Sequence, residues 1–153
     1  MDVVIGEEIA TRDGELIGLF LQREVAPGLS ARETVDRIHD QGGVVYLEHP
    51  FDVRRRALSQ AALEVIAGEI DVVEVLNPRS TDHHNVHAAD LAVMLGVPAA
   101  GGSDAHLAGD IGSVHVELSP FSDRASFLSS LSDGRIVSGR NPLLLMAEAK
   151  LRW

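Results

Sequence analysis

Short apolar runs separated by polar turns dominate the chain, and most of them are apolar at consecutive positions rather than at alternate ones. These runs predict strands at VVIGEEI, LIGLFL, VVYLEH, DVVEVLN, PAAGG and SVHVEL. The Asp-Gly step in TRDGE, between the first two runs, predicts a hairpin. Later runs alternate with helical patterns, and apolarity on both faces of a strand is typical of a parallel sheet covered by helices. The pattern therefore predicts an α/β fold.

Capping signals predict where the helices begin. Ser30 and Glu33 form an S-x-x-E capping box, which predicts a helix that continues to about Gln41 and stops at two glycines. A second helix is predicted over 59–67, and a third is predicted to be capped by Asp82. The remaining predicted helices span 123–131 and a segment that begins at Pro142. No repeat or linker interrupts this order, which predicts one domain over residues 1–153.

Composition narrows the classes of function. Hydrophobic residues make up 45% of the 153 residues, enough to fill a core. No apolar run approaches the roughly 20 residues that span a bilayer, and no signal peptide opens the chain. The absence of cysteine excludes disulfides and thiolate metal sites. We therefore expect a cytoplasmic protein without a membrane partner, and the net charge of −10 argues against binding to a nucleic-acid backbone.

Polar side chains stand where several predicted strands end. The first strand runs into Glu8, the next parallel strand ends at His49, another ends at Asn77, and the last is followed by Asp104 and His106. Carboxyl ends of parallel strands lie on one side of a sheet, where α/β proteins carry their chemistry. Carboxylate and imidazole groups from separate strands suit a hard-to-borderline divalent metal. The sequence therefore predicts a metal site there, although a helix cap with a surface histidine is the simpler alternative for Asp104 and His106.

Two further residues are candidates for substrate binding. Arg54 follows the strand that ends at His49, where a guanidinium could bind phosphate in a bidentate manner. A solvated loop is the alternative for this arginine-rich stretch. Asn77 could contact a phosphate group or could instead cap the turn before Pro78.

Several motifs together resemble the PHP family, named for polymerase and histidinol phosphatase. The matching stretches are GEEI at 6–9, HP at 49–50, EVLNPR at 74–79 and GSDAH at 102–106. This resemblance implies a distorted seven-stranded (β/α)7 barrel that binds two or three divalent metals, often zinc, manganese or iron. It also implies hydrolysis of small phosphorylated substrates.

The resemblance implies a role for each candidate ligand. Glu8 would bridge two metals, while His49, Asp104 and His106 would each bind one. A bridged pair about 3.5–4 Å apart activates a water molecule and stabilises phosphoryl charge. Asp104 and His106 are therefore the catalytic candidates, and either His106 or a residue of the missing N-terminal segment would assist the leaving group. Glu15 stands where many family members carry a histidine, so it is either a further metal ligand or a solvent-facing hairpin residue.

One family feature does not occur in these 153 residues. Family members begin with a strand that carries H-x-H, and no H-x-H is present. We therefore expect an incomplete barrel, the C-terminal two-thirds of the family fold, with about half of the metal ligands missing and weakened metal affinity. Unpaired strand edges would favour a homodimer or a barrel completed by a partner. A truncated chain and a natural remnant both explain the difference.

Three functional interpretations stay open. The first is a metal-dependent phosphoesterase that is weak or inactive as this fragment. The second is a degenerate, non-catalytic PHP remnant that binds metal or a partner. The third is an unrelated α/β domain in which the motifs occur by chance.

Overall fold

The computed structural model describes residues 3–138 of the chain. The strands are β1 (Gly6–Ala10), β2 (Glu15–Leu19), β3 (Val44–Leu47), β4 (Val72–Leu76), β5 (Ala99–Gly101), β6 (Val114–Glu117) and β7 (Arg135–Ser138). The helices are α1 (Ala31–His39), α2 (Gln60–Ile66), α3 (Asp82–Leu95) and α4 (Arg124–Ser132). The helix predicted from Pro142 lies outside the described residues. None of the helices in the described part is long and apolar enough to cross a membrane.

The main sheet is mixed rather than fully parallel. Its strand order is β1-β2-β3-β4-β5. The β3–β4 and β4–β5 pairs are parallel, as predicted, whereas β1–β2 and β2–β3 are antiparallel. The predicted hairpin explains the β1–β2 pair, because a short turn reverses the chain where a parallel pair would need a long crossover. Residues 3–138 do not form a closed barrel, since β6 and β7 form a separate two-stranded sheet.

The short strand β7 was not predicted from the sequence. Its four residues RIVS follow Gly134 and show only partial burial. The strand forms because it pairs antiparallel with β6, which lies before α4 in the chain. Such long-range pairing leaves little signal in a four-residue window.

The pleat gives the main sheet two different faces. Val45, Leu47 and Val73 lie on one face and belong to the main core, which α1 and α3 also line. On the opposite face, Val44 and Val72 pack in a second apolar cluster that includes residues of α4. Further along the same strands, this second face carries polar side chains. Burying each large apolar side chain contributes about 1.5–3 kcal/mol, so the apolar cores fix the sheet that positions these polar groups.

Side-chain caps fix the starts of the helices. Ser30 and Glu33 form the predicted capping box: Ser30 Oγ accepts from the Glu33 amide at 3.2 Å, and Glu33 Oε2 accepts from the Ser30 amide at 2.9 Å. Helix α3 is capped by Thr81, whose hydroxyl accepts from the His84 amide at 3.2 Å, and not by Asp82 as predicted. Asp82 is instead the first helical residue, where its charge favours the helix dipole.

The capping box should contribute measurably to stability. We expect Ser30→Ala to lower the free energy of unfolding by about 1 kcal/mol, because the Glu33 amide at the start of α1 loses its side-chain partner. Ser129→Ala, on the exposed side of α4, should change it by less than about 0.5 kcal/mol. Urea denaturation followed by circular dichroism measures both values, and equal effects of the two substitutions would contradict the assigned role of Ser30.

Candidate functional site

A cavity of about 210 Å³ lies on the polar face of the main sheet. Its lining residues are Glu8, Ile17, Leu19, Tyr46, Glu48, His49, Glu74, Asn77, Gly102 and Asp104. Four of these ten residues carry a carboxylate, so the cavity concentrates negative charge and favours a cation. The structure thus brings together four residues predicted separately from the sequence: Glu8, His49, Asn77 and Asp104.

Glu8 reaches the cavity differently from the way the sequence predicted. It lies in the middle of β1, opposite Ile17, and not at the end of the strand. Ile17 in turn pairs with Tyr46 on β3. Directly paired residues share a face of the sheet, so the three side chains point into the same cavity.

Three predicted site residues do not line this cavity. The Glu15 carboxylate lies 3.5 Å from a guanidinium nitrogen of Arg56. His106 is 63% exposed, and its Nδ1 lies 3.0 Å from the carbonyl oxygen of Asp104. Arg54 pairs with the neighbouring Asp52, at 3.2 Å. Metal binding by Glu15 and His106 and phosphate binding by Arg54 stay predictions.

Two buried carboxylates of the cavity, Glu48 and Glu74, were not among the predicted site residues. Glu74 accepts hydrogen bonds from the His49 amide at 2.8 Å and from Asn77 Nδ2 at 3.0 Å. Glu48 follows the apolar run of β3, and Glu74 interrupts the apolar run of β4. A single charged residue in or directly after a buried strand was the signal that could have identified them as site residues. The period of two along each strand places them on the same face as Tyr46.

Gly102 allows the chain after β5 to approach this carboxylate closely. A β-carbon at this position would lie 2.7 Å from Glu74 Oε1, so any other residue here would require the Glu74 carboxylate to shift. The glycine that precedes Ser103 and Asp104 in the GSDAH motif therefore has a steric role in the floor of the cavity.

The Asp104 carboxylate is held by two neighbouring side chains. Asn77 Nδ2 donates to Asp104 Oδ2 at 3.1 Å, and the Arg55 guanidinium forms an ion pair with the same oxygen. Arg55 also donates to Asn77 Oδ1 and to Ser80 Oγ, each at 3.0 Å. Arg55 was not predicted as a site residue, because a run of three arginines in the sequence does not show which one turns inward.

The backbone beside the cavity adopts unusual conformations. His49, Phe51, Arg56 and Asp104 all have positive φ angles, of 26°, 73°, 55° and 46°. Residues other than glycine rarely adopt this region, and each such residue costs roughly 1 kcal/mol or more. The surrounding fold therefore holds His49 and Asp104 in place at a conformational cost.

Burial and ion pairing shift the pKa values of side chains in the cavity. Burial raises the pKa of Glu48 to about 7, despite the imidazole of His49 whose Nε2 lies 3.3 Å away. Burial alone would lower the pKa of His49, but its pairing with Glu48 raises that pKa overall. Burial also raises the pKa of Glu74.

The cavity meets some requirements of a metal centre and lacks others. Glu48 Oε1 and His49 Nδ1 are buried without a hydrogen-bond partner among the described residues, and both atoms can bind a metal. However, no three histidine or carboxylate side chains within residues 3–138 lie close enough together to hold one. The described residues in this arrangement therefore do not fit a complete metal centre.

Comparisons of sequence relate the chain to known proteins. Residues 82–136 match the family model described as PHP-associated. An uncharacterized protein of Methanocaldococcus jannaschii is 40% identical over 120 residues, which cover 74% of this chain and 50% of the relative. The chain spans about half the length of the curated relatives that it matches.

Comparisons of structure find the same fold in larger proteins. PsfC from Pseudomonas syringae PB-5123 superposes with a TM-score of 0.66 at 17% identity, over 96% of this chain and 64% of its own. A two-domain protein from Bacteroides vulgatus ATCC 8482, which contains a predicted PHP-like metal-dependent phosphoesterase, gives 0.65 at 15% identity, over 95% and 49%. At these low sequence identities, the superpositions show that the fold is shared. Together with the match of residues 82–136 to the PHP-associated family model, they confirm the resemblance to the PHP family that the motifs predicted.

The raised pKa of Glu48 predicts a specific dependence of stability on pH. Because its protonated form is favoured in the folded state, its contribution is complete at low pH and is lost as pH rises from about 4.5 through about 7. This loss amounts to at most about 3 kcal/mol. We therefore expect Glu48→Gln to flatten the fall in the free energy of unfolding between pH 5 and pH 8, as measured by urea denaturation.

Glu64→Gln is the control for this prediction, because Glu64 is exposed on α2. It should reproduce the pH profile of the parent. Parallel profiles for Glu48→Gln and the parent would show that Glu48 does not carry the effect.

Proposed function

We propose that the chain forms part of a PHP-type metal-dependent phosphoesterase that acts on a small phosphorylated substrate. The observation that carries this proposal is the acidic cavity in which Glu8, His49 and Asp104 meet, in a chain that resembles the PHP family. The description of the Bacteroides vulgatus protein as containing a predicted PHP-like metal-dependent phosphoesterase supports the same class of activity.

Part of the proposed metal centre lies outside the described residues. Glu8, His49 and Asp104 are the proposed ligands within the cavity, with Glu15 and His106 as candidates at its margin. Because these groups do not hold a metal together within residues 3–138, further ligands would come from another segment or a partner chain. Zinc, manganese and iron are the proposed metals, and such ions supply an activated water and stabilise phosphoryl charge.

The open edge of β1 is the proposed place for the additional structure. This strand lies at the end of the main sheet, and its outer edge has no strand partner within residues 3–138. An unpaired edge readily accepts another strand. A strand from elsewhere in the same protein or from a second copy would extend the sheet next to Glu8 and bring the barrel nearer to closure.

An arginine-lined cleft beside the cavity is the proposed binding site for the phosphate group of the substrate. Asp52, Arg54, Arg55 and Arg79 line an open space of about 420 Å³. Guanidinium groups bind phosphate through paired hydrogen bonds, and these three lie together in a chain whose net charge is −10. We assign phosphate binding to Arg54, and to Asn77 a supporting role, because its Oδ1 already accepts from Arg55.

A non-catalytic role is the second candidate. Its specific support is that Asp104 is paired with Arg55 and that the described residues do not assemble three metal ligands. The chain would then be a PHP remnant that binds a cation weakly or binds a partner protein.

Phosphate release with added manganese tests the two candidates. With p-nitrophenyl phosphate and Mn²⁺, the phosphoesterase proposal expects weak release by the parent, because part of the proposed metal centre lies outside the described residues. It expects a further loss of at least about tenfold in Glu8→Gln, because a cavity carboxylate is neutralised. Glu7→Gln is the matched control, since Glu7 is the neighbouring carboxylate and accepts a hydrogen bond from the Val25 amide outside the cavity.

Each outcome of this assay favours one candidate. Equal rates in the parent and in Glu8→Gln would contradict catalysis at this cavity. A parent that binds Mn²⁺ without releasing phosphate would favour the non-catalytic candidate.

A further inference from the structure

The loop that follows the GSDAH motif carries two exposed apolar side chains. Leu107 is 72% exposed and Ile111 is 75% exposed, which makes them the most exposed leucine and isoleucine among residues 3–138. They flank a single 3₁₀ turn, Ala108–Asp110. Removing large apolar side chains from water is favourable, so a segment that covers both would be stabilised on this loop.

Hydrogen bonds fix the backbone of this loop. The Asp110 carboxylate accepts from the amide of His106 at 3.3 Å and from the amide of Leu107 at 3.1 Å. The Asp110 amide donates to the Leu107 carbonyl oxygen at 2.9 Å, and the Ser113 amide donates to the Asp110 carbonyl oxygen at 3.0 Å. The loop therefore presents Leu107 and Ile111 from a defined turn, and the same carboxylate holds the backbone of His106.

The topology brings the chain that follows β7 to this loop. Strands β6 and β7 are antiparallel, and Val114 at the start of β6 lies opposite Ser138 at the end of β7. The chain therefore leaves β7 about 5 Å from the point where the loop enters β6. Ile111 is three residues from Val114, at most about 11 Å away, whereas residues 139–142 can span about 14 Å. The chain from residue 143 onwards is thus within reach of the loop.

The sequence PLLLMAEAKLRW at residues 142–153 suits this apolar surface. Six of its twelve residues are large and apolar: Leu143, Leu144, Leu145, Met146, Leu151 and Trp153. Residues 139–153 also contain three basic residues and one acidic residue, in a chain whose net charge is −10, so charge attracts them to the rest of the chain. Because these residues are tethered to β7, they meet the loop at a high effective concentration, which favours them over a second copy.

We propose that residues 142–153 dock on Leu107 and Ile111 of the same chain. The docked segment buries these two side chains and holds the loop that begins at His106, a candidate residue of the site. This inference is independent of the proposed function, because it requires neither a metal nor a substrate.

Limited proteolysis of the 153-residue chain tests this inference. Trypsin cleaves after Lys150, within the proposed docking segment, and mass spectrometry of the products gives the rate of this cleavage. The rate follows the fraction of molecules in which the segment is undocked. We expect Leu107→Ser combined with Ile111→Ser to accelerate cleavage after Lys150 by at least about fivefold, because the apolar surface that the segment covers is lost.

Val93→Ser combined with Met94→Ser is the matched control. These two residues are 61% and 66% exposed on α3, so the control removes two exposed apolar side chains from a different element. We expect its rate of cleavage after Lys150 to stay within about twofold of the parent, because exposed substitutions away from a contact change stability little.

Folding of each variant is checked by circular dichroism. Leu107 and Ile111 are exposed within residues 3–138, so we expect the double variant to keep the parent spectrum. If it does not fold, Leu107→Ser alone replaces it, and we then expect an acceleration of at least about twofold, since part of the covered surface remains.

Equal cleavage rates in the folded loop variant and the parent overturn the inference. Equal acceleration in the loop variant and the control also overturns it, because a general loss of stability would then explain both. At fixed trypsin concentration, the rate constant of the parent should be the same at about 100 µM and about 1 µM protein. Faster cleavage on dilution would contradict docking within one chain and would identify a second copy as the occupant of the loop.

Discussion

The buried carboxylate of Glu74 holds together the ends of three neighbouring strands. It lies within β4, accepts a hydrogen bond from the backbone of His49 after β3, and is approached closely by Gly102 after β5. It also accepts from Asn77, which in turn donates to Asp104. Removing one partner from such a buried network leaves the others without hydrogen bonds, so its members depend on one another. The positions of His49, Asn77 and Asp104 in the candidate site are thus linked through this single buried group.

Opposite charges are separated across the site. The cavity is lined by carboxylates, and the adjoining cleft is lined by arginines, with Asn77 and Arg55 at the boundary. Such an arrangement suits a ligand that combines a cation with an anionic group, as a metal with a phosphate does.

Much of the fold could be predicted because local sequence determines it. The hairpin, the Ser30 capping box and the apolar strands carry signals within a few residues, and all of them occur. The antiparallel pairing of β2 with β3 and the strand β7 depend on distant partners, which leave no local signal.

The residues of the candidate site also divide into those with a local sequence signal and those that depend on the tertiary fold. Glu8, His49, Asn77 and Asp104 could be identified because they stand in motifs or at strand ends, and they do meet in one cavity. Arg55, Glu48 and Glu74 could not be identified from the sequence, because the direction of a side chain depends on the tertiary fold. Asp52 contacts both Arg54 and Arg55, and of these two only Arg55 reaches Asp104 and Asn77.

The left-handed backbone at His49 and Asp104 has a consequence for how this chain can change. Glycine would relieve the conformational cost at either position and would be expected to stabilise the backbone there. The chain instead keeps an imidazole and a carboxylate at these two positions. Selection for thermal stability alone would therefore favour glycine at these two positions. A more stable descendant with glycine at either position would indicate that the cavity no longer has a function under selection.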